Sequence, residues 1–193
     1  MLQSSKKTIT MGISTYEVMY IQALDNYPFN VEECIEKLQY VIAADDEHAG
    51  AHCLMGLIYE EQLKDYKQAE YYYRMALYLD RDYSPVYSHL AGLLINLGRL
   101  EEALAIIDAG LRVPGIDKAS MLYYKGLLYE KFEMYATAIQ YYTDAKKVCL
   151  NNSFMDTMDE HIKRVKTKKG MDKKSEKNKS DKKQEKKKKQ ELS

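Results

Sequence analysis

The sequence predicts an all-α chain whose helices pair and stack as an α-solenoid. Three observations carry that expectation. Apolar residues recur at three- and four-residue spacing rather than in alternation. Nearly the same pentapeptide stands twice, GLIYE from Gly56 and GLLYE from Gly126, 70 residues apart. A related segment, Ala91-Gly92-Leu93-Leu94, falls halfway between them, which makes the period about 35.

The helices are expected in order at about 14–26, 31–44, 49–62, 66–80, 84–97, 100–112, 117–131 and 135–149, with a ninth at 153–168. Ser84-Pro85 sets a cap residue before a proline suited to the first helical position. Gly98 separates two leucine-rich helices, and Pro114-Gly115 marks a turn. Four columns keep the repeat. Small residues stand at Gly56, Ala91 and Gly126, and again at Cys34, Ala69, Ala103 and Ala138. Leu38, Tyr73, Ile107 and Tyr142 form a large column, and Val41, Ala76, Gly110 and Ala145 a further one. Small side chains let helices approach to roughly 8–10 Å, and the large neighbours fill the flanks. Gly110 gives up about 1 kcal/mol of helix propensity against alanine, so close packing is its expected role. No single pair can bury its apolar face, so the repeats must stack.

The ninth helix reads as a solubilising cap. Ser153 is its expected N-cap, Phe154, Met158, Ile162 and Val165 form its apolar stripe, and Asp156, Asp159, Glu160, Lys163 and Arg164 its solvent face. The composition then changes. From Lys163 to the end there are 15 basic and 5 acidic residues, which leaves 14 basic and 24 acidic in 1–162. The formal net charge of zero therefore hides an acidic body and a basic tail. The domain organisation that follows is a flexible leader over 1–13, about four repeats over 14–152 with the first degenerate, a capping helix over 153–168 and a disordered lysine-rich tail over 169–193.

Three cysteines without CxxC spacing argue against a disulfide framework or a zinc site. No apolar run has signal-peptide or membrane-spanning length, so a cytoplasmic location is expected, with the nucleus as an alternative in a nucleated cell.

The columns resemble tetratricopeptide repeats (TPR), whose pattern is W-x2-L-G-x2-Y, then A-x3-F, then a small residue and proline. Met55-Gly56 with Tyr59, Ala69, Tyr73 and Ala76 matches it, as does Gly126 with Tyr129, Ala138, Tyr142 and Ala145. The middle repeat has Leu90-Ala91, Leu94, Ala103 and Ile107. His52, Tyr87 and Leu122 replace the tryptophan, and Asp46 and Arg81 the closing proline. The resemblance covers about 14–152. It implies a protein-binding scaffold whose partner peptide or helix lies in a concave groove lined by the first helix of each pair. The groove candidates are then Cys53, Leu57 and Glu61, then Ser88, His89, Gly92 and Asn96, then Tyr123, Leu127 and Lys131. Members that clamp the carboxylate tail of heat-shock chaperones present lysine, asparagine and arginine there. Here Cys53, Leu57, Ser88, His89 and Tyr123 stand near those places, and only Asn96 and Lys131 suit that chemistry.

Other candidates are weaker. His48 and His52 stand four apart, but no carboxylate completes a metal triad. Cys34 reads as core, and no nucleophile, phosphate-loop or metalloprotease motif is present. No enzyme activity and no cofactor are expected. The tail lysines Lys182, Lys183, Lys186, Lys187, Lys188 and Lys189 are candidates for contact with a polyanion such as RNA or the ribosome, the alternative function. With no aromatic residue among them, such contact would be non-specific.

Overall fold

Nine helices occur among the described residues of this computed structural model, which describes residues 14–191, with side chains to 171. They are α1 (Thr15–Asn26), α2 (Val31–Ala44), α3 (Ala49–Glu61), α4 (Tyr66–Leu79), α5 (Pro85–Asn96), α6 (Leu100–Gly110), α7 (Lys118–Lys131), α8 (Tyr135–Val148) and α9 (Asn152–Glu191). The leader over 1–13 lies outside the described residues, as do the side chains of the six tail lysines. The first eight helices start and stop within two residues of the sequence expectation.

Local chemistry explains those boundaries. Ser14, Asn30 and Asp65 cap α1, α2 and α4 by accepting from the backbone N–H three residues on. The Asp117 carboxylate accepts from both Ala119 and Ser120 at the start of α7. His48 caps α3 through Nδ1, which accepts from the Ala51 N–H at 3.0 Å. The turns within three pairs each hold one left-handed residue: Lys64 at φ 55°, Gly98 at 74° and Glu133 at 59°. Only one of the three is glycine, so the loop geometry is imposed by packing on two unfavourable residues.

Two compact units divide between Val86 and Tyr87. In the first, α1 packs on α2, α3 on α4, and α2 on α3. Its core joins Ala23, Cys34, Leu38, Val41, Ala51, Leu54, Met55 and Ile58. In the second, α7 packs on α8, α8 on α9, and α6 on α7. Its core includes Leu122, Ala138, Tyr142, Ala145, Met158 and Val165.

Every position of the four repeat columns is buried. A Cβ on Gly56 would lie 2.5 Å from the Tyr73 ring, and one on Gly126 would lie 2.6 Å from the Tyr142 ring. Glycine therefore stands where the large column holds tyrosine. At the middle repeat, where that column holds Ile107, the small residue is Ala91. Gly110 also meets its expectation, since a Cβ there would lie 3.0 Å from Met121 Sδ and 3.1 Å from Tyr87.

The last helix departs from expectation at both ends. Asn151, not Ser153, receives the Phe154 N–H at its N-terminus. At the other end the helix runs on to Glu191, where disorder was expected from 169. Lysine, glutamate and glutamine have high helix propensity without any burial, so the composition that rules out a core does not rule out a helix. No helix among the described residues is long and apolar enough to cross a membrane.

Candidate functional site

The Tyr142 ring fills the space left by Gly126, and its hydroxyl donates to Glu130 Oε2 at 2.9 Å. Glu130 is the last letter of GLLYE and is only 8% exposed. Helix α9 supplies its counter-charges. Arg164 donates through Nε to Oε1 at 3.1 Å and through Nη2 to Oε2 at 2.6 Å, and Lys168 donates to Oε1 at 2.8 Å. Burial alone would raise the Glu130 carboxyl. The hydrogen bonds from Arg164, Lys168 and Tyr142 outweigh it and hold the group at about 2. His161 lies over the Tyr142 ring at 5.0 Å, and its Nδ1 accepts from Arg164 Nη2 at 2.6 Å. Burial and then the Arg164 charge lower His161, which keeps the ring neutral and able to accept.

The first unit has a counterpart. Glu60 ends GLIYE and accepts from the Tyr73 hydroxyl at 2.7 Å. There burial dominates and raises the carboxyl. The repeated pentapeptide thus encodes a carboxylate–tyrosine pair twice, and the two pairs differ in what compensates the charge.

The expected apolar stripe of α9 is present. Met158 and Val165 are fully buried, with Phe154 and Ile162 packed beside them. Asp159 adds an ion pair to Lys146 of α8. Arg164 is exposed, as expected, and its guanidinium also reaches Glu130, because a buried carboxylate within reach is a strong partner for it.

The groove candidates separate into three groups. On α3, Cys53 was expected at the groove but is buried, and burial pushes its thiol up to about 12. Leu57 packs against the core of the first unit, and Glu61 accepts from the Tyr27 hydroxyl at 2.5 Å. On α5, Ser88, His89 and Gly92 are partly exposed and Asn96 is exposed. The Gly92 position stands against the Tyr124 ring of α7, which a Cβ would approach at 3.1 Å. On α7, Tyr123 lies 5.3 Å from the His161 ring and 6.2 Å from Phe154, so α9 covers it. Leu127 and Lys131 line a cleft with Glu130, Arg164 and Lys168. The sequence reading missed Glu130, Arg164 and Lys168 as a group. The repeated final glutamate of the pentapeptide was the available signal.

No cluster of metal-ligating side chains occurs among the described residues. His52 Nε2 meets the Asp46 carbonyl at 3.0 Å, and Cys34 donates to the Ala23 carbonyl at 3.3 Å.

Comparison with known proteins places this geometry. The family described as tetratricopeptide repeat matches residues 61–113. Residues 61–113 thus carry a tetratricopeptide repeat, and the chain shares the fold of solved tetratricopeptide-repeat proteins. Solved TPR structures similar to it include pilF of Pseudomonas aeruginosa, at 18% identity, TM-score 0.71, covering 81% of this chain and 69% of that one. A thermophilic TPR protein of Thermus thermophilus matches at 16% identity and TM-score 0.64, over 76% of this chain and 81% of that one. PilW, described as a widely conserved type IV pilus biogenesis factor, matches at 16% identity and TM-score 0.64, over 80% and 79%. No curated protein sequence matches the chain. At these identities the structural likeness concerns the fold. TPR proteins are generally protein-interaction scaffolds, and the TPR fold is typically non-catalytic.

Proposed function

We propose that this chain is a non-catalytic adaptor that holds a peptide or helix of a protein partner along the first helices of its pairs. The observation that carries the reading is α9 itself. It lays an apolar stripe and two cations on the α7–α8 pair, so a helix pair of this chain already accepts an amphipathic helix as a ligand would be accepted. The α5 row of Ser88, Gly92 and Asn96, with His89 beside it, offers a partly exposed and weakly charged surface for a further segment. PilW, described as a type IV pilus biogenesis factor, and pilF share the stacked-helix fold on which this reading rests.

The test is affinity capture from nuclease-treated native lysate with the full chain at ~50 and ~200 mM salt, a range over which phosphate-driven binding falls steeply. A stoichiometric protein retained at both salts, and lost with the double variant Ser88→Glu, Asn96→Glu, is the expected result. Retention only at low salt, abolished by replacing Lys186 to Lys189 with glutamine and indifferent to the α5 variant, would overturn it. That outcome would favour the polyanion-associated reading of the basic tail.

A further inference from the structure

We propose that the basic end of α9 docks on the acidic first unit of a second copy of this chain, so that copies associate head to tail. The charge split carries the inference. Residues 14–86, in the first unit, hold 14 acidic and 5 basic residues, whereas residues 87–162 hold 10 and 7. The acidity of the body therefore lies mainly in the first unit. Its complement lies on α9, where 169–191 hold 11 basic and 5 acidic residues. That helix runs unbroken to Glu191. It packs on α8, and Val165 is the last of its described side chains to be buried. At 1.5 Å per residue, 169–191 continue for about 33 Å past that seat. An unbroken helix does not double back, so this stretch lies beyond the helix on which α9 packs.

The first unit presents a matching surface. Lys37 is the one cation of α1 and α2, and it is held by Glu33 at 2.6 Å and by Gln22 at 3.0 Å. Glu32 and Glu36 stand four apart and exposed on α2, and the exposed Asp46 lies in the turn after it. Among the described residues, the side chains of these three make no hydrogen bond or ion pair. Tyr40 follows in line with Glu32 and Glu36 and is half-exposed, so its ring is open to a lysine side chain. In the sequence of α9, lysines recur four apart at 182 and 186 and at 183 and 187, the spacing of Glu32 and Glu36. Each chain carries both patches, so the acidic surface is present once for every tail. A formal charge of zero removes the net repulsion that keeps copies apart. The two patches differ, which makes the contact heterologous and leaves each copy one patch to recruit the next. Both patches lie off the α3, α5 and α7 positions of the adaptor surface.

The test is sedimentation velocity of the full, nuclease-treated chain over a concentration series at ~50 and ~300 mM salt, between which screening shortens the reach of exposed charges. A mass that rises with concentration above the 22.5 kDa of one chain at low salt, and a monomer at high salt, are expected. Replacing Lys182, Lys183 and Lys186 to Lys189 with glutamine should weaken association by about ten-fold or more, and so should the triple variant Glu32→Gln, Glu36→Gln, Asp46→Asn. Mixed in equal amounts, the two variants should form a 1:1 complex that grows no further, because each supplies only one patch. The control Glu101→Gln, Glu133→Gln, Asp156→Asn removes as many exposed carboxylates from the second unit and should leave association unchanged. All six carboxylates are exposed, and circular dichroism checks that helix content is kept. A monomer at every concentration, which contact of the tail with its own chain would also give, would overturn the proposal. So would an equal loss with the control variant, or association seen only without nuclease, which assigns the tail to nucleic acid.

Discussion

Replacing Glu130 with glutamine keeps the side chain's shape and removes its charge. The Tyr142 hydroxyl can still donate to the amide oxygen, but Arg164 and Lys168 lose their common partner. The folded carboxyl sits at about 2 against an ordinary 4.5. At about 1.4 kcal/mol per pH unit, that difference corresponds to roughly 3 kcal/mol of stability at neutral pH. The two cations are half-exposed and regain water when the carboxylate is lost, so the cost lies below that of orphaning a fully buried charge. The expected loss for Glu130→Gln is about 2–3 kcal/mol at pH 7. The sign with pH follows from the depressed folded value. The contribution is complete above 4.5, falls as pH drops from there toward 2, and is gone below that. Wild type and variant should therefore differ at pH 7 and converge near pH 2. Urea unfolding followed by circular dichroism measures the gap. Hydrogen exchange of α9 amides measures it locally, which matters because a chain with two compact units need not unfold in one step. A variant within about 0.5 kcal/mol of wild type at pH 7, or a gap that persists unchanged at pH 2, would refute the role assigned to Glu130.

Gly126→Ala should destabilise by about 1–2 kcal/mol despite a helix-propensity gain of about 1, because the new Cβ would lie 2.6 Å from the fully buried Tyr142 ring. Gly56→Ala should behave alike against Tyr73, and thermal melts of both variants check the sign. Lys64→Gly and Glu133→Gly should each stabilise by about 0.5–1 kcal/mol, since relief of a left-handed residue exceeds the added chain entropy of glycine. A lower urea midpoint for either would contradict the loop argument. Of the three thiols, Cys149 is partly exposed while Cys34 and Cys53 are buried with raised thiol values. An aromatic disulfide reagent at pH 8 should thus modify one thiol per native chain and three after unfolding.

Periodicity alone determined the helices, their pairing and the buried columns, because a repeat that must stack leaves the same small and large residues at each crossing. Glycine at 56 and 126 with alanine at 91 even encodes which repeats carry a buried tyrosine and which an isoleucine. The groove was less legible. Helical spacing put Cys53 beside Leu57 and Glu61, but spacing fixes only the direction of a side chain from its helix axis. Whether that direction meets solvent depends on which helices are packed there, and Cys53 meets the core. Arg164 makes a related point. Its position in α9 reads as solvent-facing and is exposed, yet the guanidinium also reaches across to Glu130, 34 residues earlier. A charge on a long, flexible side chain goes to the deepest opposite charge within reach, and its distance from that charge is a property of the packed helices. The sequence therefore determined the repeat and its core by itself. Only the tertiary structure decided that α9 closes over α7 through one buried carboxylate, because that contact joins residues whose separation no helical period relates.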